Sequence, residues 1–598
     1  MIAGWALGAA ACAGDVPCWK VDDVRAGMSG YGWTVVSGVA PARFEAKILG
    51  VLRDVAPGRD MIVARFSGLG LEKSGIAAGM SGSPVYIDDK LLGAVAYTWE
   101  FGVEPIGGVT PFCQMRELAD AGGLRDKLAD SDVSFTPPFW PPDDDAPIRP
   151  GRLLPIRTPL AVAGMSSTAL RELSKNLEPW GLIPVQGGAA NPDVKSAHAG
   201  VKIGPGSAVA VGLVTGDVAA TAVGTVTAVD DGRVYAFGHP FLELGRCRLP
   251  LLSAYIHTVL PLQSASFKVG SSLERVGTVD ADVSTGVAAE LGGEAAFVPV
   301  SVRVERVAAG RPREFRFQIA PVPHLLSSLL SASTISCIEG DGKTPLDFVV
   351  HLKAEIRIAG KPPLVLEDVY SGERYQGPPG LVQALAPLAN LVGAVASNPF
   401  EPATVESIDC EVAVSDRRRS AAIVNAWIRP AEPIPGETAT VFVEVRPYRP
   451  DSAEADGEQT QTLPLKIQLP RSLPPGEYAA LVGDARSDFE KESRRRAHLA
   501  RPANFDQFLR ALAAQLAVRQ TDLAVRIDTN DVGAAVDGVV LPDLPTGWAE
   551  VLASNRAQAV DRWPSSLLAT RPTPWVVEGS KSVRFHVVEQ RKTLGETP

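Results

Sequence analysis

Cysteine is scarce in this 598-residue chain. The six that occur, Cys12, Cys18, Cys113, Cys247, Cys337 and Cys410, are scattered without any C-x-x-C spacing. That pattern excludes a zinc cage and a dense disulfide framework, leaving buried free thiols as the default and one or two long-range bridges open in an oxidising compartment. Past its first residues the chain also lacks any apolar run of the roughly 18 residues that a membrane span needs, so no integral span is expected. There is no basic stripe interleaved with aromatics, and the formal charge is −10, which argues against a nucleic-acid partner. Gly204-Pro205-Gly206-Ser207 has no following lysine to hold a phosphate, and Asp143-Asp144-Asp145 lacks the spaced ligands of a calcium loop. No metal or cofactor is expected.

What is present is ordinary apolar content in a chain too long for one core, which suggests roughly three to five units. Residues 1–13 form a short apolar, signal-like segment with Ala11-Cys12-Ala13 as a cleavage site, so the protein is expected to be exported to the periplasm, cell envelope or medium. Residues 14–120 alternate short β-branched runs with Gly and Pro (Trp33–Val36, Phe44–Leu52, Met61–Phe66, then a hairpin over Val85–Ala96) and read as a small closed β-barrel. Residues 121–150, rich in Pro and Asp, read as a linker. Residues 151–360 read as a second β-barrel domain, with a helix over Ser167–Leu177 capped by Ser166 or Ser167, another near Leu325–Leu330, and strands at 208–214, 222–229, 234–237 and 300–307. A helical connector (361–420), an Ig-like β-sandwich (421–490) and an α+β region (491–598, with a helix over Asn504–Ala517) follow. The fold class expected is mainly β with minor α.

The stretch that carries chemistry is Gly79-Met80-Ser81-Gly82-Ser83-Pro84, at the mouth of the predicted hairpin. A nucleophilic serine needs a tight turn that exposes its hydroxyl while aiming backbone N–H groups at one point, and flanking glycines permit such a turn. By itself the segment reads first as a Gly/Ser loop joining two strands. Of the histidines, His239 sits in Phe237-Gly238-His239-Pro240-Phe241 at a strand end, while His257 follows an apolar strand and reads as a packed residue.

Leu71 through Pro84, followed by Leu92-Gly93-Ala94-Val95, resembles the SpoIVB family of serine peptidases. Ala236-Phe237-Gly238-His239, preceded by Gly224-Thr225-Val226-Thr227, is similar to that family's segment bearing the general-base histidine, and Ser266-Phe267-Lys268-Val269-Gly270 with Gly277-Thr278-Val279 and Asp282 to the stretch that follows it in long envelope-type members. The resemblance covers roughly Val21 to Gly293. It implies a trypsin-like double β-barrel with the site in the cleft between barrels, Ser81 as nucleophile, His239 as base, and an oxyanion hole from the backbone N–H groups of Gly79 and Ser81. The implied activity is cleavage of a protein or peptide substrate through an acyl-enzyme, with an envelope protein as a further candidate partner.

Two departures qualify what the resemblance implies. In the sporulation members the histidine precedes the serine, whereas here Ser81 comes first; triad order varies among serine hydrolases, so catalysis is not forbidden. The aspartate that family carries shortly before the nucleophile aligns with Ser67. Asp282 and, second to it, Asp60 are the candidate replacements. A non-catalytic envelope protein keeping the peptidase fold as a scaffold is the alternative, and a carbohydrate-binding adhesin a more distant one.

Overall fold

The computed structural model describes residues 16–99, 102–120, 153–263, 265–306, 311–340, 342, 347–373, 380–448, 460–495, 497–536, 539–541, 546–552 and 560–590. The signal-like segment 1–13 and the linker 121–150 lie outside the described residues. The fold is mainly β, 51% strand and 21% helix, as the sequence implies, and it contains a closed six-stranded antiparallel barrel. The chain divides into two compact units, Met1–Pro299 with Arg316–Gly340, and Val300–Phe315 with Asp341–Pro598. The sequence boundary at 360 falls inside the second unit, which also takes Val300–Phe315 from the expected 151–360 domain.

In the first unit, strands β1 (Ser29–Thr34), β2 (Ala42–Ala56), β3 (Arg59–Ser67), β4 (Pro84–Ile87), β5 (Lys90–Trp99) and β6 (Ile106–Pro111) pair in the order β4-β1-β2-β3-β6-β5, and β4 pairs back on β5 to close the ring. Alternation builds its core: along β2, Phe44, Ala46 and Ile48 are buried while Arg43, Glu45 and Lys47 are exposed. Phe44 meets Phe66 edge to face at 5.7 Å, within a cluster that includes Ile62, Met80, Val85, Leu92 and Val109.

The first strand begins four residues earlier than the expected Trp33–Val36 and takes in two glycines. The reason is close approach: a Cβ on Gly30 would lie 2.1 Å from the Tyr86 carbonyl oxygen, and one on Gly32 2.2 Å from the Phe44 ring. These glycines are what lets β1 reach β4, where a local reading sees strand breakers.

A second ring of pairings lies in the same unit. After β7 (Leu153–Pro155), β8 (Thr158–Ala163) and β9 (Leu182–Gln186) come β10 (Ala208–Gly216), β11 (Ala219–Asp230), β12 (Arg233–Ala236), β13 (Gly245–Leu260), β14 (Phe267–Val283) and β15 (Gly286–Leu291). Their order is β10-β13-β14-β15-β12-β11, every pairing is antiparallel, and β10 also pairs with β11. The helix Ser167–Leu177 forms over the expected residues, with the Ser166 hydroxyl accepting the Ala169 N–H. The expected helix at Leu325–Leu330 is longer, Pro323–Gly340, and carries a run of buried residues from Ala332 to Ile338.

The two rings share a core. Leu91 and Ala94 of β5, with Phe112 and Met115 of the helix Phe112–Asp120, pack against Ala228, Tyr235, Ala281 and Ala288 of the second ring. A disulfide, Cys18–Cys113, ties the start of the described chain to that helix, while Cys247, Cys337 and Cys410 are free thiols.

In the second unit, Leu364–Glu373, Asp347–Ile358, Val405–Ser415 and Val300–Arg306 lie side by side, the last pair parallel. The connector is only partly helical: the helix Gly380–Ala396 is there, but the flanking residues are sheet. Two further sheets, one built on Ser420–Arg429, Thr438–Pro447 and Gln461–Gln468, the other on Gly476–Asp484, Asp522–Val536 and Lys581–Val587, share one core containing Val441, Val443, Tyr478, Val525, Ile527 and Phe585. The second sheet therefore takes one strand, Gly476–Asp484, from the expected range 421–490 and draws its partners Asp522–Val536 and Lys581–Val587 from beyond it. Among the described residues no helix is long and apolar enough to cross a membrane.

Candidate functional site

The Ser81 turn is built by alternating use of its peptide groups. Gly79 and Gly82 take φ of +89° and +93°, the left-handed region open to glycine at low cost. Within the turn, the Met80 N–H donates to Ala77 O (3.0 Å), and the Ser83 N–H and hydroxyl donate to Met80 O (3.0 and 2.6 Å). The Gly82 N–H donates across to Val95 O of β5 (2.8 Å).

The turn's carbonyls are taken up by the second ring. Ala78 O accepts from the Lys268 N–H (3.0 Å), Gly79 O from the Thr225 hydroxyl (2.9 Å), Ser81 O from the Thr225 N–H (2.9 Å) and Gly82 O from the Thr227 hydroxyl (2.8 Å). Carbonyls held this way leave the N–H groups of Gly79 and Ser81 without an acceptor among the described residues.

His239 arrives from the other side. After β12 the chain turns through Phe237 (φ +67°) and Gly238 (φ +70°), and Gly238 packs against Ala94 and Ala96 of β5, its carbonyl accepting from the Thr110 hydroxyl at 2.6 Å. The Phe237 N–H donates to Thr225 O (3.3 Å), the same oxygen that a Cβ on Gly82 would approach to 1.9 Å. The segments carrying Ser81 and His239 thus meet on one peptide of β11.

Both side chains are buried, Ser81 at 0% and His239 at 3% exposure. Neither the Ser81 hydroxyl nor His239 Nε2 has a hydrogen-bond partner, so they are not bonded to each other. His239 Nδ1 lies 2.8 Å from Pro240 O. A carbonyl oxygen only accepts, so Nδ1 carries the proton and Nε2 presents its lone pair. Burial holds the imidazole down at about 4 from its ordinary 6.5, against a weaker upward pull from the Pro240 carbonyl. The cavity beside His239, lined by Arg157, Thr158, Trp180 and Phe241 among others, measures about 30 Å³. That admits a water or two, not a peptide side chain.

The carboxylate candidates go elsewhere. Asp282 is fully buried and accepts the N–H groups of Phe241 (2.8 Å), Leu242 (2.7 Å) and Leu244 (3.2 Å). It makes no bond to the imidazole; it pins the loop that follows His239. Burial raises its pKa to about 6, with those three amides pulling the other way. Asp60 pairs with Arg53 at 2.8 Å and accepts the Asp54 N–H at 3.2 Å, in the β2–β3 hairpin. Neither meets the geometric condition for orienting His239 directly, because the Nδ1 position is taken by a backbone carbonyl.

Sequence reasoning passed over Lys268 and Thr225 as site residues. Lys268 is 1% exposed, and its ammonium donates to the Thr34 (2.8 Å) and Thr225 (3.1 Å) hydroxyls. Burial alone lowers its pKa to about 7. The only signal was a lysine between Phe267 and Val269 in a strand otherwise free of charge over Phe267–Leu273. Comparison of the chain with protein-family models, with curated proteins and with solved structures returned no match.

Proposed function

We propose that the chain is a serine peptidase of the SpoIVB type caught in a closed resting state, with the two strand rings acting as a trypsin-like double barrel. Its nucleophile is Ser81 and its general base His239. The observation that carries this reading is the pair of buried, unpartnered atoms, Ser81 Oγ and His239 Nε2, on segments that converge at Thr225. A buried polar atom left without a partner costs about 1–3 kcal/mol, and two such atoms on adjoining segments are more readily explained by chemistry than by packing.

In the reaction, the Ser81 hydroxyl oxygen adds to the scissile carbonyl carbon as its proton passes to His239 Nε2. The carbonyl π pair moves onto oxygen, and the N–H groups of Gly79 and Ser81 receive that oxyanion. As the tetrahedral species collapses, the C–N bond breaks, the imidazolium returns its proton to the departing amine, and an acyl-Ser81 ester remains. Water, deprotonated by the same imidazole, repeats the addition and releases the acid.

The Pro240 carbonyl fixes the productive tautomer but supplies no full negative charge to the imidazolium. A site lacking the carboxylate runs about four orders of magnitude below a full triad. With Ser81 at 0% exposure, a substrate must also displace covering residues to reach it. The Cys18–Cys113 disulfide favours an oxidising compartment and so export, where a protein or peptide substrate or an envelope partner would be met.

The second reading, a catalytically silent envelope scaffold, draws on the Asp282 bonds to backbone amides and on Ser67 at the family's aspartate position. A fluorophosphonate probe separates the two. Peptidase chemistry predicts a covalent adduct on Ser81, located by peptide mass mapping and lost in Ser81→Ala and His239→Ala. A folded wild-type protein that takes no label between pH 5 and 9 would sink the peptidase reading and leave the scaffold.

A further inference from the structure

We infer that Lys268 is a positioning residue that sets both peptide planes around Gly79 and thereby aims the Gly79 N–H as an oxyanion donor. This rests on the peptidase reading of Ser81, although the bracket itself is a matter of hydrogen bonds. The Lys268 backbone N–H donates to Ala78 O at 3.0 Å, fixing the peptide unit whose N–H belongs to Gly79. On the other side of the same residue, the Lys268 ammonium donates to the Thr225 hydroxyl (3.1 Å), which donates to Gly79 O (2.9 Å) and fixes the next peptide unit. Thr225 also donates its own N–H to Ser81 O at 2.9 Å. The lysine stem closes the arrangement, since a Cβ on Gly79 would lie 3.2 Å from Lys268 Cδ and 3.3 Å from its Cβ.

The direction of the bonds matters. Because the Thr225 hydroxyl spends its one proton on Gly79 O, it can only accept from Lys268, so the chain runs one way from ammonium to hydroxyl to carbonyl and each link polarises the next. The elements that meet Lys268 bring hydroxyls and glycine: Thr34 at the end of β1 and Thr225 on β11 at the amine, and Gly79 of the turn against the stem. No charged group on any of them shifts Lys268; desolvation is the only influence upon it. A buried lysine held by hydroxyls alone is costly to keep. Here it places a positive charge two hydrogen bonds from the Gly79 carbonyl, on the residue whose N–H would receive the oxyanion, and that charge is lost as pH rises past about 7.

The test uses the full-length chain and the variants Lys268→Met, Thr225→Val and Thr225→Ser. Hydrogen–deuterium exchange of the peptide spanning 76–84 reads the bracket without any need for activity. Lys268→Met and Thr225→Val should raise exchange at Met80, Gly82 and Ser83 about tenfold while Thr225→Ser, which keeps the hydroxyl, restores protection; unchanged exchange in the first two would overturn the inference. Fluorophosphonate labelling reads its consequence. Wild type should label fastest between about pH 5 and 7 and slow above that range, and Lys268→Met should lose the alkaline limb and label at least tenfold more slowly at pH 6. Equal rates and the same pH profile in wild type and Lys268→Met would overturn it as well. Absence of labelling in wild type would count against the peptidase reading only, and the exchange measurement would then decide the bracket alone.

Discussion

Gly82 is the point at which the proposed nucleophile and base segments interlock, and its replacement offers a sharp test of that geometry. In Gly82→Ala the new methyl group would stand 1.9 Å from Thr225 O and 2.5 Å from Phe237 N, both backbone atoms that cannot rotate aside. Holding a non-glycine residue at φ +93° costs about 1–2 kcal/mol. Overpacking against rigid surroundings adds about 1–3 kcal/mol, so the total is about 2–5 kcal/mol. Gly58, in the β2–β3 turn, separates the two contributions: its φ is +68° and nothing lies within 4 Å of its Cβ position, so Gly58→Ala carries the backbone cost alone. Denaturant unfolding followed by tryptophan fluorescence, with the two variants and wild type side by side, should place Gly82→Ala at least 1 kcal/mol below Gly58→Ala. Gly82→Ala should also lose protection from exchange in peptides containing Thr225 and Phe237. Equal destabilisation in the two variants would refute the convergence of the Ser81 and His239 segments on Thr225.

Three further outcomes follow from burial and bonding. Because His239 is held at about 4 when folded and titrates at 6.5 when unfolded, the unfolded chain takes up its proton first; its contribution is complete above pH 6.5 and lost as pH falls to 4, about 3 kcal/mol, a slope that His239→Leu should abolish in unfolding free energies measured across that range. Asp282 has the opposite sign: its folded pKa, about 6, lies above 3.8, so wild type should lose about 3 kcal/mol relative to Asp282→Asn as pH rises from 3.8 to 6, and parallel curves would contradict a buried carboxyl there. The Cys18–Cys113 bridge spans 95 residues, so Cys113→Ser should cost about 4–5 kcal/mol through the freed loop, read as a lower denaturation midpoint under oxidising but not reducing conditions.

Much of the fold was legible in local pattern. The alternation along β2 and the leucine spacing from Ser167 to Leu177 each encode which face is buried, and the helix expected over Asn504–Ala517 forms over Phe505–Leu516, with the Asn504 side chain accepting the Gln507 N–H. Assignment of segments to compact units was not legible, since the strand over Val300–Arg306 reads the same from local pattern whichever unit it joins. Gly30 and Gly32 misled for a related reason: what fixes them is the distance to Tyr86 and Phe44, partners remote in sequence.

The candidate site divides the same way. From its residues alone, the sequence determined a glycine-flanked serine turn and singled out a histidine at a strand end, because turn chemistry depends on neighbours along the chain. Only the tertiary structure decided that the two segments meet on Thr225, that Asp282 spends its carboxylate on three backbone amides, and that a buried lysine stands behind Gly79. Apart from the Phe237 bond to Thr225, those contacts join residues 38 or more positions apart. Hydrogen bonds are satisfied in space, and burial, which sets the protonation of His239, Asp282 and Lys268, exists only once the chain has closed around them.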